Sequence, residues 1–241
     1  MYLGEFMGKI KKRIIIFNMI LIIILICFIT FNHINIIFSK SYNEMEYVEV
    51  NNNDIDNMFS IDVDLDILRN DYNNDDIVGR LEIPGLFNLI ITQGEDNEYY
   101  LNHNLWNKKD IKGNEYLDYR NNINDKNINI YGHNSSIYNV PFKKLESFID
   151  KDNFNESKYI LFQHDEGRRV YEIVSFKMID KDYEHMNIDS VSQKEHIDIL
   201  LKDSMHLKEI DYSDDTNVIV LQTCSMDDSD SFYILVGFEV L

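Results

Sequence analysis

The segment Val218-Ile219-Val220-Leu221-Gln222-Thr223-Cys224 is a strand candidate that ends on a cysteine. Together with Phe232 to Val240, the run from Thr216 to Leu221 is the most apolar strand candidate of the 241-residue chain. A short apolar run bounded by polar residues is typical of a buried strand. A polar loop, Ser225 to Ser231, follows the cysteine. A thiol in this setting has its backbone fixed by a sheet while its sulfur faces a loop or a cleft.

A second strand candidate ends on a histidine. Asn127 to Tyr131 alternates apolar and polar residues with period two, and Gly132 and His133 follow it. A cysteine nucleophile needs a nearby imidazole that forms or holds the thiolate. A lone strand-end cysteine is more often buried and inert, and a lone histidine is more often structural. The functional interpretation of Cys224 and His133 therefore depends on a fold that brings the two strand ends together.

The remaining pattern predicts a mainly β domain. Further strand candidates are Val78 to Ile83, which ends at a Pro84-Gly85 turn, Phe87 to Thr92, and a hairpin of Tyr159 to Phe162 with Val170 to Val174. Helical spacing is limited to Ile61 to Leu68 and to an apolar stripe within Val191 to Leu207. Many short strands with few helices favour a closed or nearly closed barrel in a single domain.

Composition excludes several classes of protein. The chain has 23 Lys and Arg against 42 Asp and Glu, a formal charge of −19, so it offers no basic face for nucleic acid. Two cysteines cannot form a disulfide-rich scaffold or a four-cysteine zinc site. No histidine pair has a metal-ligand spacing, and the sequence predicts neither a metal nor a cofactor.

The N-terminal region predicts a membrane anchor. Ile14 to Phe31 is an apolar run interrupted only by Asn18 and Thr30, and about 20 such residues span a bilayer. The basic residues that precede it place the N-terminus in the cytoplasm by the positive-inside rule. A cleavable signal peptide is the alternative, although no small-residue cleavage site follows Phe31. Cys27 lies within the run, which leaves Cys224 as the sole cysteine of the exterior part.

These features predict four regions: a cytoplasmic basic tail (1–13), a transmembrane anchor (14–31), an extracellular linker or lead-in (32–60) and a catalytic domain (61–241).

The motifs resemble those of sortases, the membrane-anchored cysteine transpeptidases of Gram-positive bacteria. Tyr131-Gly132-His133-Asn134 and Leu221-Gln222-Thr223-Cys224 are similar to the two signature segments of that family. Three further segments, and the helix expected at 191–207 just before the cysteine strand, resemble class B: Val78 to Gly85, Gln93 to His103 and Tyr116 to Asn122. The resemblance covers roughly residues 60–241 and implies an eight-stranded sortase-type β-barrel with a few peripheral helices.

The resemblance also implies a mechanism. Cys224 would attack the carbonyl after Thr in a C-terminal Asn-Pro-x-Thr-type sorting motif and form a thioester. His133 would act as general acid for the leaving amine and as base for the incoming amine. That amine would belong to a peptidoglycan cross-bridge or its lipid-linked precursor, so the product would be a surface protein joined to the cell wall. By the same resemblance Asn97 and Leu101 would contact the substrate, and Thr223 lies beside the nucleophile.

One feature departs from the family pattern. Sortases carry a catalytic arginine on the final strand, and the corresponding position counted back from Gly237 is Phe232. Three explanations remain open. Ser231 or Tyr233, with backbone N–H groups, acts as the oxyanion donor; an arginine from elsewhere (Arg120, Arg168 or Arg169) reaches the site; or the protein is a weak or inactive sortase-fold protein that binds sorting signals.

Overall fold

The computed structural model of the protein describes residues 58–181, 192–226, 228 and 230–240. These residues belong to one compact unit, Asn52–Leu241. The predicted tail and anchor (1–31) and all of the predicted linker except residues 58–60 lie outside the described residues. Within the described ranges, none of the helices has the length and apolar character needed to cross a bilayer.

The described residues form nine strands in one sheet. They are β1 (Ile77–Ile83), β2 (Phe87–Thr92), β3 (Tyr116–Leu117), β4 (Asn127–Tyr131), β5 (Tyr159–His164), β6 (Gly167–Asp180), β7 (His206–Leu207), β8 (Val218–Cys224) and β9 (Ser231–Glu239). The strand order is β5-β1-β2-β3-β4-β8-β9-β6-β7, and β5 also pairs with β6. That additional pairing closes eight strands into a barrel, with the two-residue β7 attached outside the ring. The predicted eight-stranded barrel is thereby confirmed.

Alternation along the strands separates an inner and an outer core. On β8, Ile219 and Leu221 point into the barrel, whereas Val218 and Val220 pack on its outer surface beneath a helix. Because both faces of β8 are buried from Val218 to Leu221, this part of its sequence is continuously apolar rather than alternating. The same holds for β9, which pairs with β8 along its whole length.

Helices are few and peripheral in the described residues. They are α1 (Leu65–Tyr72), α2 (Lys151–Glu156), α3 (Gln193–Leu201) and two 3-10 segments, Tyr99–Leu101 and Pro141–Ile149. The helix expected at 61–68 starts later because the Asp64 side chain caps it by accepting the N–H groups of the first turn.

The prediction of one long helix over 191–207 was wrong in length. Helix α3 covers Gln193–Leu201 and begins at Ser192, which forms a capping box with the first turn. The chain then leaves the helix, and Asp203 takes a left-handed conformation with φ of 59°. His206–Leu207 form β7 against β6 instead of continuing the helix. The apolar residues that follow Leu201 within 191–207 therefore do not continue the helix, and the last of them, Leu207, belongs to β7.

Candidate active site

The two strand ends singled out from the sequence are neighbours in the barrel. Strands β4 and β8 run parallel, with Tyr131 opposite Gln222. The Gly132 N–H donates to the Gln222 carbonyl at 3.1 Å, so the pairing continues past the end of β4. Continued two residues past Tyr131 and Gln222, this register brings His133 level with Cys224. The parallel pairing thus brings together two residues that are 91 positions apart in the sequence.

Side-chain hydrogen bonds fasten these two strand ends to each other. The Thr223 hydroxyl donates to the Gly132 carbonyl at 2.9 Å. The Asn134 amide donates to the Cys224 carbonyl at 2.8 Å and to the Glu146 carboxylate at 2.7 Å. The backbone on both sides of the thiol and the imidazole is therefore fixed, as a preorganised site requires.

Cys224 is a free, half-buried thiol. It shares the outer face of β8 with Val220, whose side chain belongs to the outer core. Burial raises the pKa of the Cys224 thiol, and the positive charge of Lys181 partly opposes that rise. The resting thiol is consequently protonated at neutral pH, and a nucleophilic role requires a base beside it.

His133 is oriented by a backbone carbonyl. Its Nε2 lies 2.6 Å from the carbonyl oxygen of Leu101, at the end of the 3-10 turn Tyr99–Leu101. A carbonyl oxygen can only accept, so Nε2 carries a hydrogen and Nδ1 is the nitrogen left to exchange a proton. The main chain of Leu101 thus determines which nitrogen of His133 can exchange a proton, while its side chain is partly exposed.

A buried carboxylate organises the loops next to the site. Asp118 is fully buried and accepts hydrogen bonds from Asn97 (3.0 Å), Tyr131 (2.9 Å) and the Arg120 guanidinium (2.9 and 2.8 Å). Burial raises the pKa of Asp118, but these hydrogen bonds, led by those of Arg120, bring it below its usual value. The side-chain Oδ1 of Asn97 accepts the Tyr119 N–H at 3.0 Å, so both ends of this side-chain amide already have partners.

The three arginines considered as substitutes for the missing one are engaged elsewhere. Arg120 forms the ion pair with Asp118. Arg168 pairs with Asp62 at the start of β6, and Arg169 pairs with Glu239 at the far end of β9 from Phe232. Arg168 and Arg169 therefore lie at the opposite end of the barrel from Cys224.

The structure places the two hydroxyls proposed as oxyanion donors away from the thiol. Phe232 is the cross-strand partner of Cys224 and shares its outer face, so Ser231 and Tyr233 point to the other face of β9. Ser231 is 1% exposed and donates its hydroxyl hydrogen to Asp228 at 2.7 Å. The Tyr233 ring is part of the inner core.

Phe232 occupies the position at which the resemblance to sortases predicts an arginine. Its ring packs against the outer core, directly opposite Cys224 and where the family pattern expects an arginine. Among the described residues, no group of three or more His, Cys, Asp or Glu side chains is arranged to hold a metal ion. Asn134 and Asp118 lie in segments that resemble the family, but sequence reasoning gave neither a role because their hydrogen-bond partners are not adjacent in the sequence.

Comparison with known proteins identifies relatives of one kind. The chain is 31% identical over 159 residues to sortase B of Listeria monocytogenes and 26% identical over 158 residues to sortase B of Staphylococcus aureus. These alignments cover 63% of this chain and 63% and 64% of the relatives, so the match spans less than two thirds of their length. No family model matches.

Solved structures agree in fold. Sortase B of Clostridium perfringens has a TM-score of 0.68 at 25% identity, covering 74% of this chain and all of that one. A Streptococcus pyogenes class B sortase involved in pilus biogenesis has a TM-score of 0.67 at 26% identity, covering 74% and 98%. The resemblance to class B sortases expected from the motifs is confirmed in both sequence and fold.

Proposed function

We propose that this protein, which is similar to class B sortases in sequence and in fold, is a membrane-anchored cysteine transpeptidase. The observation that carries the proposal is the parallel pairing of β4 with β8, whose register, continued past Tyr131 and Gln222, brings His133 level with Cys224. A half-buried thiol, an imidazole oriented by a carbonyl and a fixed backbone are the parts that covalent acyl transfer needs.

In the first half-reaction Cys224 becomes acylated. Nδ1 of His133 takes the thiol proton, and the sulfur attacks the carbonyl carbon after Thr in an Asn-Pro-x-Thr-type sorting motif. When the tetrahedral intermediate collapses, the C–N bond breaks, the imidazolium returns its proton to the leaving amine, and a thioester remains.

In the second half-reaction an amine resolves the thioester. His133 accepts a proton from the incoming amine as its nitrogen attacks the thioester carbonyl, and then returns that proton to the departing sulfur. The net change exchanges one amide for another. The acceptor in this proposal is an amine of a peptidoglycan cross-bridge or of its lipid-linked precursor, and the donor is a surface protein bearing the sorting signal.

Roles in substrate binding are proposed for three residues, by contact for Leu101 and by support of the site for Asn97 and Thr223. Leu101 offers a partly exposed apolar side chain next to the carbonyl that orients His133. Asn97 lies on the same loop and stabilises it through Asp118. Thr223 precedes the nucleophile and couples it to Gly132. We further propose that residues 14–31 anchor the protein in the cell membrane, with the N-terminus cytoplasmic and residues 61–241 outside.

Product analysis tests this function. The full chain is incubated with an Asn-Pro-x-Thr peptide, with and without an oligoglycine or diaminopimelate-type amine. We expect an amine-linked product that Cys224→Ala and His133→Ala do not form. A peptide–amine product from Cys224→Ala would contradict the assignment, and hydrolysis alone in the presence of amine would make the protein a hydrolase.

A binding protein without catalysis is the second candidate, and the observation that favours it is the phenyl ring of Phe232 opposite the thiol. It predicts peptide binding without any covalent intermediate.

A further inference from the structure

Lys181 lies at the edge of the proposed site, just after a strand that the sequence motifs do not include. It is the residue that follows β6, whose last residue, Asp180, pairs with Ser231 of β9. The Lys181 N–H donates to the Asp230 carbonyl at 2.9 Å. The backbone of Lys181 is thereby fixed against the start of β9, the strand that pairs with the cysteine strand.

The register of three strands places Lys181 on the same face of the sheet as the thiol. Cys224 pairs with Phe232, and Phe232 pairs with Ile179, so these three residues form one row across β8, β9 and β6. Neighbouring strands are about 4.8 Å apart, so this row is roughly 10 Å long. Lys181 is two residues beyond Ile179 and shares its outer face, and its four-carbon stem is long and flexible.

The ammonium of Lys181 has a weak partner of its own. Its Nζ lies 3.8 Å from an Asp230 carboxylate oxygen, and the two side chains are 46% and 87% exposed. Such an exposed pair is readily exchanged for another anion. The charge of Lys181 already acts on Cys224, where it opposes the rise in thiol pKa that burial causes.

The other ionisable groups around this site come from several elements. They are His133 after β4, Tyr116 on β3, and Asp228 and Asp230 in the loop before β9. The Asp228 carboxylate already accepts hydrogen bonds from the Asp230 N–H and from the Ser231 hydroxyl, both within the same loop. Of the groups named here, Lys181 is the lysine, and it lies on the outer face two residues beyond the row that contains the nucleophile.

We propose that Lys181 is a catalytic residue that supplies the positive charge missing at Phe232. Its ammonium pairs with the Cys224 thiolate once His133 has taken the proton. It then donates a hydrogen bond to the carbonyl oxygen of the sorting peptide as negative charge develops there. No proton is transferred from Lys181, which remains an ammonium throughout. The inference rests on the proposed transpeptidase function and names the electrostatic residue of that same site.

The test compares Lys181→Met and Lys181→Arg with Lys126→Met, a control that removes one positive charge just before β4, at the opposite end of that strand from His133. Acylation of Cys224 by an Asn-Pro-x-Thr peptide is followed in a single turnover by intact-mass spectrometry. Alkylation of Cys224 by iodoacetamide is followed as a function of pH, because the reagent reacts with the thiolate.

We expect Lys181→Met to acylate at least about tenfold more slowly, since removal of a charge-stabilising donor commonly costs 10²- to 10³-fold and Lys181 is partly exposed. Its alkylation profile shifts to higher pH, because loss of a nearby cation disfavours the thiolate. Lys181→Arg restores most of both properties, and Lys126→Met matches the wild type. Equal thermal unfolding midpoints for all variants exclude loss of the fold as the cause.

Unchanged acylation and an unchanged alkylation profile in Lys181→Met would overturn the proposal while leaving the transpeptidase intact. If the wild type forms no acyl adduct, the proposed function fails instead. The alkylation profile then decides on its own whether Lys181 acts on the thiol.

Discussion

The contact between His133 and Leu101 determines what the imidazole can do. With Nε2 bound to a carbonyl oxygen, the exchangeable nitrogen is Nδ1. Gly113 lies close to this carbonyl. A Cβ on Gly113 would lie 2.9 Å from the backbone oxygen of Leu101 and 2.4 Å from that of Tyr100. A left-handed glycine, with φ of 61°, is therefore needed where the loop closes against the histidine partner.

The hydrogen bond from the Thr223 hydroxyl to the Gly132 carbonyl joins the two strand ends, and a substitution at Thr223 measures its contribution. Thr223→Val keeps the side-chain shape but removes the hydrogen bond to the Gly132 carbonyl. We expect a loss of about 1 kcal/mol in the free energy of unfolding, measured by urea denaturation, and slower acylation of Cys224. Thr223→Ser keeps the hydroxyl and serves as the control. A Thr223→Val protein as stable and as reactive as the wild type would show that this hydrogen bond does not matter.

For single residues, the sequence predicts the two candidate catalytic side chains but not the residues that position them or act on their charge. Cys224 and His133 stand out because each follows a strand with a recognisable pattern. Asn134, Asp118 and Lys181 carry no such signal, because each acts on groups from segments distant in the sequence.

At the scale of elements, the strand end that carries His133 lies tightly against the 3-10 helix Pro141–Ile149. A Cβ on Gly132 would lie 2.6 Å from two ring atoms of Phe142 and 2.9 Å from Cγ of Glu115. Because Phe142 is fully buried in the inner core, its ring cannot simply move away. Glycine at 132 lets the histidine strand and the 3-10 helix approach closely.

Gly132→Ala should therefore destabilise the barrel by about 1 to 3 kcal/mol through overpacking. Urea denaturation measures this directly, and Gly94→Ala is the matched control, since its nearest contact would be 3.3 Å. Equal midpoints for the two variants would contradict the packing argument.

Elements with a long regular pattern were predictable. The bounds of β2 and β4 agree with those read from the sequence because alternation or an apolar run extends over the whole strand. Strands β3 and β7 have two residues each, too few to show any period. The length of α3 was overestimated because the apolar residues after it pack as a strand and a loop rather than as a helix.

At the scale of the whole molecule, closure of the barrel buries carboxyl groups whose pKa values shift in opposite directions. Burial raises the pKa of Glu115 to about 7. Hydrogen bonds and Arg169 lower the pKa of Glu239 despite burial, as the partners of Asp118 do for that group. Burial lowers the pKa of His164. The free energy of unfolding therefore decreases at high pH because of Glu115, and at low pH because of Asp118, Glu239 and His164.

Because its pKa is raised in the folded state, Glu115 stabilises the fold at low pH and not at high pH. Its folded pKa lies above its unfolded value of 4.5, so its contribution to stability is complete below about pH 4.5 and is lost as the pH rises through 7. Glu239 and Asp118 have lowered values and lose their contributions as the pH falls through their folded pKa. His164 likewise loses its contribution as the pH falls, because its neutral form is the buried one.

Glu115→Gln isolates the first of these effects. It keeps an acceptor for the Phe142 N–H but cannot ionise. We expect the variant to gain stability relative to the wild type between pH 5 and pH 8, by an amount on the order of 2 kcal/mol. Urea denaturation at several pH values measures the difference, and a difference that does not change with pH would contradict the assignment.

The proposed mechanism requires that Cys224 forms a covalent acyl intermediate with a sorting peptide. The most direct measurement incubates the full chain with a panel of Asn-Pro-x-Thr peptides and follows its intact mass. We expect an adduct equal in mass to the acyl part of the peptide, absent in Cys224→Ala and lost when an amine is added. Peptide binding with no adduct at any pH would contradict it and would make this barrel a binding protein.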